Sequence, residues 1–179
     1  MGYSRELCYE LFLQDGSKGN DLWELLWEAG QDFNISAGGP NIILRLEGGI
    51  LSYLADIDRS NNPYEVGLDW LVDLDQEDDF IGKEALRLIR QNGHTKKWLG
   101  AEIPGEPIED SNADHLPVFI DGKEVGSMNA MVYSPRLDKN ICYTILDIEH
   151  AKSGQEIVIV SPEKDLIATT VDLPWRERA

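Results

Sequence analysis

Ser36-Ala37-Gly38-Gly39-Pro40-Asn41-Ile42-Ile43-Leu44-Arg45-Leu46-Glu47-Gly48-Gly49 opens the stretch that decides how this chain folds. It runs on through Ile50-Leu51-Ser52-Tyr53, Asp56-Ile57-Asp58 and Asn61-Asn62-Pro63 to Glu65-Val66-Gly67-Leu68 and Trp70. Pro40 suits the first turn of a helix, where a missing N–H costs nothing. Gly48-Gly49 suits the helix end, where a left-handed residue is wanted. The reading is a short buried helix over 42–47, a crossing segment, a tight turn, and a chain re-entering the core. One basic and one acidic residue interrupt the apolar run. The piece is too apolar to stand alone, so the rest of the chain must pack around it.

The 179 residues allow one large domain or two small ones, and 42% hydrophobic residues is ordinary for a soluble globular chain. A formal charge of −17 repels phosphate backbones and anionic lipid surfaces, which argues against nucleic-acid and membrane partners. No apolar run approaches the ~20 residues that span a bilayer. The first residues, Met1 to Glu6, lack the basic start and apolar core of a signal peptide. Cys8 and Cys142 read as two reduced thiols, and the expected compartment is the cytoplasm.

Outward from the central stretch, Leu7 to Leu13 reads as a strand and Asp15 to Asn20 as a turn. Asp21 to Gly30 reads as an amphipathic helix capped by Asn20 or Asp21, with Leu22, Trp23, Leu25, Leu26 and Ala29 at spacings of three and four. Trp70 to Leu74 alternates like a strand. Asp75 to Asp79 is an acidic loop, and a helix over 83–91 ends at Asn92-Gly93. The texture then changes. Short runs at 98–103, 116–120, 123–131, 141–146, 156–160 and 166–173 read as antiparallel strands. Asp121-Gly122 is a hairpin signal, and 105–114 and 134–140 read as longer loops. Such a set closes into a small barrel or sandwich.

The residues themselves offer few reactive constellations. His94, His115 and His150 stand at no ligand spacing, so no metal site is expected. Gly38-Gly39 is too short for a phosphate loop. Asp56 and Asp58 would point to one side of an extended chain, able in principle to bind a cation or orient a substrate, but they read better as solvated loop carboxylates. As a pair for carbohydrate or proton-transfer chemistry they are poorly placed, because such carboxylates must converge across a cleft. Glu10 stands inside the apolar run Cys8-Tyr9-Glu10-Leu11-Phe12-Leu13. Either it faces water on an edge, or it meets a hydrogen-bond donor in a pocket.

The order of motifs is similar to that of a known family. Gly2-Tyr3-Ser4 with Glu10 precedes Leu44-Arg45-Leu46-Glu47-Gly48-Gly49, and Tyr53, Asp56-Ile57-Asp58, Asn62-Pro63-Tyr64-Glu65 and Gly67-Leu68 with Trp70 follow. Asp79-Phe80-Ile81-Gly82-Lys83-Glu84-Ala85-Leu86 comes next, then Glu124-Val125-Gly126, Ser134-Pro135, Lys139-Asn140-Ile141 and Leu173-Pro174. The series resembles the aminomethyltransferase family, the T-protein of the glycine cleavage system and its relatives. Asp15 to Asn20 and Gly38-Gly39-Pro40-Asn41 look more like the dimethylsulfoniopropionate demethylase branch.

The resemblance implies an α+β fold: a partial folate-binding α/β domain over 1–94, then a small antiparallel β-barrel over 95–179. It implies a portion of a tetrahydrofolate-dependent one-carbon transferase acting on a small methyl or aminomethyl donor. Family members run to roughly twice this length, so the chain is expected to be a C-terminal portion, inactive alone, without the family's catalytic aspartate. Glu10 matches the glutamate that bonds the pterin ring, and Tyr3 an aromatic of the same cavity. Asn41 stands where the T-protein branch has a folate-contacting arginine, and Arg176 lies near a C-terminal arginine that approaches the cofactor. The alternative reading is a non-catalytic folate-binding or protein-interaction module that self-associates, as a homodimer through an exposed half-core.

Overall fold

The computed structural model describes residues 2–109 and 115–175; the expected cofactor residue Arg176 and part of the 105–114 loop lie outside them. Three helices precede the barrel: α1 over Gly19–Gly30, α2 over Ile42–Glu47 and α3 over Lys83–Asn92. Six strands follow: β1 Lys96–Ile103, β2 Leu116–Ile120, β3 Lys123–Ser134, β4 Lys139–Asp147, β5 Glu156–Ile159 and β6 Leu166–Val171. They form a closed antiparallel barrel in the order β1-β4-β3-β2-β5-β6, completed by β6 pairing back onto β1. The α+β fold with a small barrel is therefore as expected.

Local chemistry explains the turns. Asp121 and Gly122 both take positive φ, 49° and 77°, the mirror-image turn whose twist suits a two-residue hairpin between β2 and β3. The β3–β4 connection is tighter than the loop expected over 134–140, because Tyr133 pairs with Asn140 and Ser134 with Lys139.

Strand β4 is buried on both faces. Cys142 and Leu146 point into the barrel with Leu99, Val118 and Met128. Ile141, Tyr143 and Ile145 point outward to a second cluster with Leu46, Val66 and Trp98. Strand β3 follows the same division through a bulge: Met128 pairs with Thr144 and Ala130 with Tyr143, leaving Asn129 as the extra residue. The bulge resets the alternation, so Met128 and Met131 face inward while Ala130 and Val132 face the second cluster.

Helix α2 seats on that outer cluster. Asn41 caps it, its Oδ1 accepting N–H bonds from Ile43 at 2.9 Å and Leu44 at 3.2 Å. Pro40 thus sits just ahead of the cap rather than inside the first turn. At the other end Gly49 takes φ 67°, with Gly49 N–H on the Leu46 carbonyl and Ile50 N–H on the Arg45 carbonyl. This is the double-bonded left-handed stop that the glycine pair implied.

Three expectations fail. Residues 7–13 form no strand. The closed barrel offers no edge to pair with, and the side chains of the segment are exposed. Residues 70–74 form no strand either: Asp69–Leu71 is a 3-10 turn whose Leu71 and Val72 N–H groups are satisfied locally by Leu68 and Asp69. Helix α1 begins at Gly19, so neither Asn20 nor Asp21 is its cap; Asp15 instead caps the short 3-10 turn before it, accepting from Ser17 N–H at 3.0 Å.

Candidate functional site

Among the described residues, buried polar side chains gather where α2 meets the barrel: Arg45, Glu47, Asp56, Asn129 and Ser134. Arg45 and the Asp56 side chain are 3% and 1% exposed and form a direct ion pair. Asp56 Oδ2 also accepts the Ser52 N–H at 2.6 Å. The Arg45 guanidinium lies 5.7 Å from the Tyr143 ring centroid and donates to the Ile50 carbonyl at 3.3 Å. The Tyr143 hydroxyl faces the carbonyl oxygens of Arg45, Leu46 and Ile50 at 3.1, 3.2 and 3.3 Å. The Arg45 and Leu46 carbonyls also accept the Ile50 and Gly49 N–H groups that close α2, so the hydroxyl adds a further bond across the helix end. Burial drives the Tyr143 hydroxyl far above the usual tyrosine range, offset only in part by the Arg45 charge, so it stays a donor.

Two further contacts lock the same junction. The bulged Asn129 sends its amide 2.9 Å to the Asp56 carbonyl. Ser134 donates to buried Glu47 at 2.6 Å, with Arg136 3.8 Å from the same carboxylate. Asp56 is thus a buried structural carboxylate and not the solvated one expected. Asp58 is exposed, its carboxyl held below the usual range by the Ser60 hydroxyl and then by the Ser60 N–H. The two aspartates do not converge, which removes the carbohydrate and proton-transfer reading.

A cleft of about 220 Å³ opens beside this junction, bordered by Asp58, Asn61, Lys96, His115 and Ser127. A second, of about 320 Å³, lies between Glu102, Pro104, Asp138 and Thr169. Glu10, Tyr3 and Asn41 line neither. Arg5 donates to the Gly48 carbonyl at 2.5 Å, and Glu6 pairs with Arg136 at 3.1 Å, so Tyr3 is held by the C-terminal end of α2. Asn41 is at the opposite end, about 9 Å away along six helical residues. Glu10 is exposed, as are its neighbours from Leu7 onward. The chain by itself does not bring these three into one enclosure.

Comparison with known proteins then places the chain. The family model described as the GCVT N-terminal domain matches residues 1–76, and that of the glycine cleavage T-protein C-terminal barrel domain matches residues 96–175. The chain belongs to the glycine cleavage T-protein family. Among relatives in that family, the dimethylsulfoniopropionate demethylase DmdA of Ruegeria pomeroyi is 33% identical over 98% of this chain and 47% of its own length. An aminomethyltransferase of Herpetosiphon aurantiacus is 36% identical over 97% of this chain and 46% of its own. The solved glycine cleavage system aminomethyltransferase T of Bartonella henselae superposes with a TM-score of 0.78 at 20% identity, covering 90% of this chain and 45% of that one, a likeness of fold. The chain spans about half the length of the relatives it matches.

Reasoning from sequence missed Arg45, Asp56, Asn129 and Tyr143 as one polar cluster. The available signal was Arg45 itself, a charge inside an apolar helix too short to hide it without a partner.

Proposed function

We propose that the chain contributes one wall of a tetrahydrofolate-dependent one-carbon transferase. The observation that carries this reading is joint membership of both halves of the chain in one family. In that reading the Glu10 carboxylate accepts the paired N–H groups of an aminopyrimidinone edge, since an ionised carboxylate has two oxygens to offer. Tyr3 presents an aromatic face to the same ring. Tetrahydrofolate, when bound, supplies the nitrogen that accepts the one-carbon unit. The residues fit that group in chemical kind, but the cavity needs a further wall, since Glu10 is exposed and lines no cleft.

The donor in this reading is a small methyl or aminomethyl compound. Asn41 favours the demethylase branch by standing where the aminomethyl branch has an arginine, whereas identity does not separate the branches, at 33% to the demethylase and 36% to an aminomethyltransferase. The Asn41 carbonyl is taken up in capping α2, so its amide is the part left for a ligand.

Isothermal titration tests the reading. The 179-residue chain alone is expected to bind tetrahydrofolate weakly and to transfer no methyl group. Micromolar affinity of the isolated chain, lost in Glu10→Ala, would overturn the incomplete wall. A second reading, a self-associating interaction module, draws on the exposed apolar side chains between Leu7 and Ile35.

A further inference from the structure

Asn92 is the only asparagine of the chain followed by glycine. The pair closes α3 on the way into β1. Both residues are exposed, and the Asn92 side chain makes no hydrogen bond with a described residue. The Gly93 N–H, which leaves the helix at φ 83°, has no acceptor among the described residues either. The end of α2 differs, since its Gly48 N–H bonds to the Leu44 carbonyl at 3.0 Å and its Gly49 N–H to the Leu46 carbonyl at 2.9 Å. Swinging the Gly93 peptide about the Asn92 Cα–C bond therefore breaks no hydrogen bond, and helix ends open at almost no cost.

We propose that Asn92 is a site of spontaneous deamidation, with the Gly93 backbone nitrogen as the nucleophile. As the N–H proton passes to hydroxide, a bond forms from the Gly93 nitrogen to Asn92 Cγ. The Cγ–Nδ2 bond breaks, Nδ2 takes a proton from water, and ammonia leaves a five-membered succinimide behind. Water then opens the ring at either carbonyl, giving aspartate or isoaspartate. No atom is oxidised or reduced, and no molecule but water takes part.

Other positions lack part of this chemistry. Asn34, Asn41 and Asn140 precede isoleucine, whose branched β-carbon crowds the nitrogen, whereas glycine has no side chain to shield it. Asn62 precedes proline, which has no N–H. Asp15-Gly16 and Asp121-Gly122 keep the nucleophile, but an ionised carboxylate resists attack. At Asn92 the product sets a carboxylate at the negative end of α3. The isoaspartyl form also adds a methylene to the main chain just before Thr95, whose hydroxyl faces Glu65 at 3.3 Å and whose carbonyl takes the Ile148 N–H at 2.8 Å. The proposal does not depend on the transferase reading.

The full 179-residue chain, held for weeks at neutral pH and sampled by peptide mapping, tests it. Deamidation is read as the mass gained when an amide becomes an acid. Isoaspartate is read as methyl transfer from labelled S-adenosylmethionine by an isoaspartyl methyltransferase. Asn92 in the folded chain should convert within about tenfold of its rate in a free peptide of the same local sequence, because the last turn of a helix frays freely. The rate should rise with pH, since the attacking nitrogen must shed its proton. Asn92→Gln would have to close a six-membered ring, so it should remove the label from this peptide and leave the thermal transition unchanged. Conversion more than about a hundredfold slower than in the free peptide, as for an amide held in a core element, would overturn the proposal. So would label on this peptide undiminished in Asn92→Gln.

Discussion

Tyr143 is the residue on which the junction turns. Its ring packs between Trp98, at 5.4 Å, and Trp175, at 6.2 Å, while its hydroxyl faces the closing carbonyls of α2. Tyr143→Phe keeps the ring and removes one hydrogen bond from carbonyls that keep their other donors, which costs about 0.5–1.5 kcal/mol. Urea denaturation should show this as a lower midpoint with an unchanged slope. The neighbouring Cys142 gives a second test. Burial pushes its thiol up to about 12, whereas Cys8 is exposed. A thiol reagent at pH 8 should therefore modify Cys8 rapidly and Cys142 only after unfolding. A raised folded pKa favours the protonated form. The stability it reflects is complete below pH ~9, the unfolded value, and is lost as pH climbs from there toward 12. Alkaline denaturation should begin in that window.

At the scale of the element, α2 is held by an ion pair that water does not reach. Breaking a buried pair from one side leaves an uncompensated charge, so Arg45→Met alone should cost about 3–5 kcal/mol. Arg45→Met with Asp56→Leu should recover most of that loss, because a buried pair and an apolar pair of similar size are close in stability. A double-mutant cycle by chemical denaturation measures the coupling, and additive losses would show that the pair is not a unit. Gly49→Ala should also destabilise, since φ 67° strains a β-carbon that would sit 3.3 Å from Pro174.

The helices and barrel strands were legible because period and turn chemistry report local geometry: Asp121-Gly122, Gly48-Gly49 and the helix stop at Asn92-Gly93 each carry their own structural reason. The arm at 7–13 was misread because its alternation describes a strand that needs a neighbour, and pattern alone does not say whether one exists. Asp56 was misread for a related cause. Its burial depends on Arg45, eleven residues away, and on Asn129, seventy-three residues away across a bulge. Glu10 and Tyr3 were visible as chemistry, but their mutual placement depends on surfaces beyond the reach of local pattern.

For the molecule as a whole, the central claim is that α2 and the barrel form one body through the Arg45–Asp56–Tyr143 junction, while residues 7–35 lie outside it with many apolar side chains exposed. Limited proteolysis should then cut the chain between Leu7 and Ile35 and leave a resistant piece containing α2 and the six strands. Hydrogen exchange followed by mass spectrometry on the isolated chain tests the claim most directly. The amides of residues 44–50 should be protected like those of β1, β3 and β4, and the amides of 7–35 should exchange orders of magnitude faster. Protection of 7–35 equal to the barrel, or exchange of 44–50 as fast as the arm, would contradict it.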